Sequence, residues 1–560
     1  MPSFKYRVLT FLVCTSLGCS SIWNPFRYRD PNNCASDPGS CGAGLECNLN
    51  TEACEPSEAL PTLARPIWKQ QAKLTASDGA VGDSLGFSLA LSGETALVGA
   101  QSVDVTGAGS SDGAAYVFVR DPDRGTWTQQ ARLVASDPAA GDLAGFAVSL
   151  FGDTALVSAH MADPGGVSQS GAAYVFVRNP GQGTWAQQAK LVADDRLSGD
   201  LFGRAVALSG DTALIGANQV DAGGNNRSGA AYVFLRNPAT GVWAQQRPRL
   251  VPSDSASGDE FGVSVSVSPD TALVGAYLAG SPGKAEAGAA YVFVRNPANG
   301  SWVQQAKLLA DDGAGGDHFG LSVALSGDIA LVGAPDADPG GRASAGAAYV
   351  FIRNPASGVW TQQAKLVSGD GMASDIFGSA VALSGNRAAI TARLATFDGQ
   401  ATTGVAYVFA RAQGQGPWVP EARLGAADAA AGDSTAFGLA LSGDTLGLGA
   451  SGADIGGKMD AGAGYIFQYA KQNGDPCAAG RECHSTFCID GVCCDTACGG
   501  SDPTDCQACS AAAGAILTPN GEGICRPRRL GLLCRASTAA ADPPESCDGQ
   551  LLSCPPDVRQ

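Results

Sequence analysis

From residue 61 onward the chain runs through short apolar stretches separated by turns, and the arrangement itself recurs. In the segment 318–328 (HFGLSVALSGD) apolar positions alternate and end in a Ser-Gly-Asp turn. The next segment, IALVGA, is a short continuous apolar run. The stretch AAYVFVR (289–295) sets aromatics on alternate positions, and WVQQAKL (302–308) is a more polar alternation around Trp302. Period-two patterning between Gly, Asp and Asn-Pro turns predicts strands. Gly and β-branched residues every few positions disfavour helix. Each unit therefore reads as four short strands.

Three interlocked series mark the repeat. The Tyr of AAYVFVR recurs as Tyr116, Tyr174, Tyr232, Tyr291, Tyr349, Tyr407 and Tyr465, at steps of 58 or 59 residues. Trp68, Trp127, Trp185, Trp243, Trp302, Trp360 and Trp418 keep the same step. A third series is Phe87, Phe146, Phe202, Phe261, Phe319, Phe377 and Phe437, with the order displaced to Gly86-Phe87 and Gly145-Phe146 in two units. Seven four-stranded units predict an all-β, seven-bladed β-propeller, because radial stacking buries both faces of each blade and leaves only short edges. Small residues such as those of ALVGA suit the crowded inner ring, and the aromatics are expected to pack between blades. Six Tyr markers are followed by a Trp strand, but Tyr465 is not, and the unmatched Trp68 strand stands ahead of the first Phe marker. The strand IWKQQAKL should thus complete the blade that ends at Tyr465 and close the ring.

Composition adds a setting. Of 560 residues only 16% are charged and 75 are Gly, which fits many tight turns; the net charge of −17, without a basic patch, argues against nucleic acid or an anionic membrane as partner. The N-terminus carries Lys5 and Arg7, then an apolar run over 8–17 too short to span a bilayer, then Ser16-Leu17-Gly18-Cys19. This pattern predicts an export signal over 1–18 and a lipid on Cys19, the box resembling a bacterial lipobox with Ser16 in place of its usual Leu. Membrane contact would be through that anchor alone, and the chain is expected at the outer membrane or cell surface, or secreted. Cys34, Cys41, Cys47 and Cys54 precede the repeats and twelve more cysteines lie between Cys477 and Cys554, while the repeats have none. The expectation is a short Cys-containing segment over 19–60, a propeller over 61–470 and a Cys-rich module over 471–560, both flanks small and disulfide-rich. The Cys506-x-x-Cys509 spacing, without an orderly second pair, makes zinc the weaker reading.

With Phe261-Gly262, Phe319-Gly320, Val274-Gly275-Ala276, Val332-Gly333-Ala334-Pro335 and the GxAYVF stretch 346–351, the region 61–470 resembles the FG-GAP repeat family, which forms the integrin alpha-chain propeller. The resemblance implies the fold and names no function. The family's DxDxDG calcium loop is absent, and short turns such as Ser209-Gly210-Asp211 stand in its place. One carboxylate there cannot supply the roughly six to eight oxygens that calcium takes, so no cofactor is assigned and calcium stays an open alternative. An acidic pair does recur, five residues apart: Asp78 and Asp83, Asp137 and Asp142, Asp195 and Asp200, Asp254 and Asp259, Asp312 and Asp317, Asp370 and Asp375, Asp428 and Asp433. Loop capping by Asp is the first reading of these pairs. A weak cation site, or an acidic rim around the channel, is the second.

Catalytic materials look sparse. His160, His318 and His484 are the only histidines, none at a repeated position, and there is no HExxH motif, no GxSxG elbow ahead of a credible helix and no phosphate-cradling Gly loop. The carboxylates come in seven near-equal copies, whereas catalysis needs an asymmetric pair. The expectation is a non-catalytic surface or secreted module that binds an extracellular protein or polysaccharide through variable blade loops such as YLAGSPGKAEA (277–287). The alternatives are a purely structural surface lipoprotein and an extracellular hydrolase.

Overall fold

The computed structural model describes residues 67–280, 283–411 and 416–470, together with the backbone of short strands on either side. The chain divides into two compact units, Met1–Arg65 and Pro66–Gln560. In the first, Leu45–Asn48 pairs antiparallel with Ala53–Pro56. In the second, seven four-stranded antiparallel meanders make up the body. Blade 1 runs through Leu85–Ser92, Thr95–Ala100, Ala114–Arg120 and Trp127–Leu133. Blades 2 to 6 repeat that order, ending in blade 6 with Phe377–Ser384, Arg387–Ala392, Val405–Arg411 and Trp418–Leu424. Blade 7 takes three strands, Thr435–Ser442, Thr445–Ala450 and Ala463–Ala470, from the end of the ring and its outer strand, Ile67–Leu74, from the start. Trp68 faces Tyr469 and Lys73 faces Tyr465 in that pairing, as the phase of the repeat requires.

The division of residues across a blade follows from space. The second strand of blade 1, TALVGA, is buried at every position, because both of its faces meet neighbouring blades. Blades approach so closely here that a Cβ on Gly99 would collide with the carbonyl of Gly145, so only glycine fits. Outer strands alternate, with the Trp indole reaching across to the preceding blade: Trp185 Nε1 donates to Gln130 at 2.9 Å, Trp243 to Gln188 at 3.0 Å and Trp360 to Gln305 at 3.0 Å. The repeated Trp is therefore both packing and a polar stitch between blades. Trp302 lacks the stitch, because the preceding outer strand is cut to Trp243–Gln245 and Gln246 turns its amide onto Ala244.

Two expectations need correction. The fold is not one flanked by disulfide-rich segments: the ring contains no cysteine, no disulfide bond is present among the described residues, and closure is by strand pairing. Cys19, the export signal and the Cys-rich tail lie outside the described residues. The Phe series, moreover, is not one structural position. Phe202, Phe261, Phe319 and Phe377 are fully buried inside their blades. Leu85, Ala144 and Thr435 occupy the equivalent buried places in blades 1, 2 and 7, and there the phenylalanine follows two residues later, only half-buried.

Candidate functional site

Each blade begins with the acidic loop, and its two carboxylates are used differently. The first bonds to a cation on the blade's outer strand: Asp137 to Lys190, Asp195 to Arg249, Asp254 to Lys307, Asp312 to Lys365 and Asp428 to Lys73, each at 2.6 Å, and Asp78 to Arg132 and Asp370 to Arg423, each at 2.8 Å. Burial pushes the Asp137, Asp254, Asp312 and Asp428 carboxyls up, but the lysine bonds, joined at Asp137 and Asp312 by a tyrosine hydroxyl, outweigh it and hold them below the ordinary value. The second carboxylate caps its own loop, accepting the backbone N–H three residues earlier: Asp83 from Ala80, Asp142 from Ala139, Asp200 from Leu197, Asp259 from Ala256, Asp317 from Ala314, Asp375 from Met372 and Asp433 from Ala430. Burial raises Asp83, Asp142, Asp200, Asp259, Asp317 and Asp433 above the usual carboxylate range. Among the described residues no group of three or more acidic, His or Cys side chains is disposed to hold a metal ion.

The seven-fold pattern breaks where the blades open onto the central channel. The residue just after the capping Asp is Ser84, Leu143, Leu201, Glu260, His318, Ile376 and Ser434 in turn, all left-handed with φ between 50° and 57°. Non-glycine residues held in this region mark sites where local geometry is over-determined. Three residues further on stand Phe87, Phe146, Arg204, Val263, Leu321, Ser379 and Phe437, and all seven line a channel cavity of about 520 Å³. The residue that follows the second strand is Gln101, His160, Asn218, Tyr277, Pro335, Arg393 and Ser451. These three positions share one backbone frame and carry a different side chain in nearly every blade.

The outcome is an asymmetric mouth. Blades 7, 1 and 2 contribute a continuous aromatic arc: Phe87 lies 5.2 Å from Phe146 and 5.2 Å from Phe437, ring centre to ring centre. An arginine stands at each end, Arg204 with its guanidinium 5.0 Å from the Phe146 ring and Arg393 4.6 Å from Phe437. Among the described residues neither makes an ion pair, and burial lowers the proton affinity of both. His160 packs on Phe146 at 3.9 Å, with its Nδ1 buried and unpartnered. Burial first, then Arg204, depresses its pKa to about 4, so the ring is neutral.

Blades 4 and 5 supply the opposite side. His318 Nδ1 lies 2.7 Å from Asp336, while its Nε2 is 3.8 Å from Glu286, beyond hydrogen-bonding reach. The Tyr277 ring packs 5.5 Å from His318, and its hydroxyl donates to Glu260 at 3.3 Å. Burial, then Glu260, raises the Tyr277 pKa. Glu260 is buried and also accepts from Asn218 at 2.8 Å and pairs with Arg227. Asp336, Arg204 and Arg393 thus line one cavity, and His318, Tyr277 and Glu260 stand behind Asp336 as a connected group. The site lay in plain view as an offset: the Phe follows its capping Asp by two residues in blades 3 to 6 and by four in blades 1, 2 and 7. His318 and Asp336 are 18 residues apart, and only the hairpin between them brings them together.

The FG-GAP repeat profile matches seven segments of this chain: 68–118, 127–176, 185–234, 243–293, 302–351, 360–409 and 418–467. No curated protein matches the chain. Among solved structures it is similar to a Bacteroides uniformis protein named a "putative 6-phosphogluconolactonase", with 15% identity over 69% of this chain and 92% of that one and a TM-score of 0.41. It is also similar to the periplasmic gluconolactonase of Pseudomonas aeruginosa, with 17% identity over 61% and 86% of the two chains and a TM-score of 0.39. Those likenesses concern the fold, and the activities named are those of the two neighbours. The expectation of a non-catalytic recognition module is corrected on the chain's own geometry. That expectation rested on carboxylates in seven equal copies, and the channel mouth shows ionisable groups that occur once.

Proposed function

This chain belongs to the FG-GAP repeat family, and we propose that it is a hydrolase whose reacting groups sit at the mouth of the propeller channel. The observation that carries the reading is the His318–Asp336 pair at 2.7 Å, unique among the seven blades, with Asp336 on the wall of the channel cavity. With Nδ1–H donated to Asp336, the imidazole presents its Nε2 lone pair outward and accepts a proton from water. The oxygen of that water adds to an electrophilic carbon or phosphorus, and the unpaired guanidinium of Arg204 supplies positive charge to the cavity in which the oxyanion develops. On collapse the imidazolium returns the proton to the departing oxygen, so protons balance and His318 is regenerated. Asp336 acts as a positioning residue that holds the tautomer and steadies the imidazolium.

The test is turnover by the purified full-length chain on a panel of chromogenic esters, lactones and phosphoesters. At least one class should be hydrolysed, and His318→Asn should lower kcat by about 100-fold or more, the usual weight of a general base. Asp137→Asn, on the outer side of blade 2, should leave turnover intact. Full activity in His318→Asn, or no hydrolysis of any class, would overturn the reading.

A further inference from the structure

The channel wall has a chemistry of its own. The hydroxyls of Ser88, Ser264 and Ser322 line it, yet each already donates to a backbone carbonyl of the next blade, at 2.8 Å. Their protons are committed, so the wall offers little to a ligand rich in hydroxyl groups, which would lose water without replacement. What it offers is the apolar surface of three linked phenyl rings and, at either end of that arc, a guanidinium without a carboxylate partner. The Nε of Arg393 is buried and has no hydrogen-bond partner. Glu260, the carboxylate whose field reaches Arg204, is occupied by Asn218 and Arg227. An unpaired arginine on the wall of a half-buried cavity is costly unless an anion completes it.

We propose that the channel binds an aromatic acid, its ring packed against the Phe146–Phe87–Phe437 arc and its carboxylate or phosphate held by Arg204 or Arg393. The inference rests on the hydrolase reading of the mouth and deepens it by naming the substrate class: an ester or phosphoester of which an aryl acid is one part. Contact with the phenyl rings accounts for the apolar part of the affinity, and a guanidinium fork matches either oxyanion in two parallel bonds.

The experiment is calorimetric titration of the full-length chain with four probes: benzoate, phenyl phosphate, benzyl alcohol and glucose 6-phosphate. At least one of the two aromatic acids should bind in the millimolar range or tighter. The neutral alcohol and the sugar phosphate should bind at least about ten-fold more weakly, the step that ~1.4 kcal/mol makes. Benzoate against phenyl phosphate tells which oxyanion the arginines take. Arg204→Gln and Arg393→Gln should together abolish binding, and added salt should weaken it. Leu321→Glu, which sets a like charge on the cavity wall with both arginines in place, should do the same while melting like the parent. Glucose 6-phosphate or benzyl alcohol binding as tightly as the acids would overturn the proposal. So would binding unchanged in the double arginine variant, or neither acid bound at about 10 mM, well above the affinity expected here. The two readings fail separately: acids bound equally by parent and His318→Asn without turnover of any ester would sink the hydrolase and keep this site, and turnover without acid binding would do the reverse.

Discussion

His160 shows what a unique residue does in a repeated frame. It takes a position filled by Gln101, Asn218 and Tyr277 in nearby blades, packs at a tilt on Phe146 and is only 7% exposed. Its pKa of about 4 in the folded chain lies below the 6.5 of a free histidine. A depressed folded pKa gives stability that is complete above the free value and is lost as pH falls from there toward 4. The parent should therefore lose on the order of 3 kcal/mol across that window from this residue alone. His160→Phe should flatten that part of the profile, read as urea midpoints at about pH 7.5, 5.5 and 4.5. Equal slopes in parent and variant would show that His160 is not the group responsible. At this scale little was legible beforehand. A histidine that appears once has no repeat to give it a location, and the slip of Phe87, Phe146 and Phe437 into the channel was hidden by treating the Phe series as one position.

Strands were far more legible, because a period of two between Gly-rich turns is repeated in every blade and packing demands it on both faces. Ring closure by Ile67–Leu74 could be read from phase alone, since Tyr465 lacked a Trp strand and Trp68 lacked a blade. The chemistry of the seam could not. Where other blades use glutamine, blade 6 offers Glu421, which accepts from Trp68 Nε1 at 3.1 Å and from Arg387 Nε at 3.0 Å. Arg387 in turn lies 3.9 Å from the Tyr469 ring and bonds to Asp444 in blade 7. The Glu421 side chain is 7% exposed, so removing its partner leaves a buried charge. Arg387→Ala should cost about 3–5 kcal/mol. Adding Glu421→Gln should recover much of that by restoring the neutral Trp–Gln stitch of the other blades. Thermal melts of the single and double variants decide it, and a double variant no better than the single would show that the seam is held by packing instead.

Over the whole molecule, stability and chemistry occupy different places. The outer blades repeat one solution seven times, each entry loop tied by an Asp–cation bond and an Asp cap, and such redundancy makes any one copy dispensable for function. The channel mouth uses the same backbone positions to carry side chains that differ between blades, which makes the mouth asymmetric. Bulk placed in the mouth and charge removed from the rim should therefore have opposite consequences. The most direct measurement is turnover of the best substrate of the panel by Leu321→Trp, which fills the cavity, beside Asp312→Asn, which cuts one outer tie. The account predicts that Leu321→Trp melts close to the parent and loses hydrolysis, while Asp312→Asn loses some stability and keeps its rate. Undiminished turnover in the plugged channel would place the chemistry elsewhere on the ring and contradict the account.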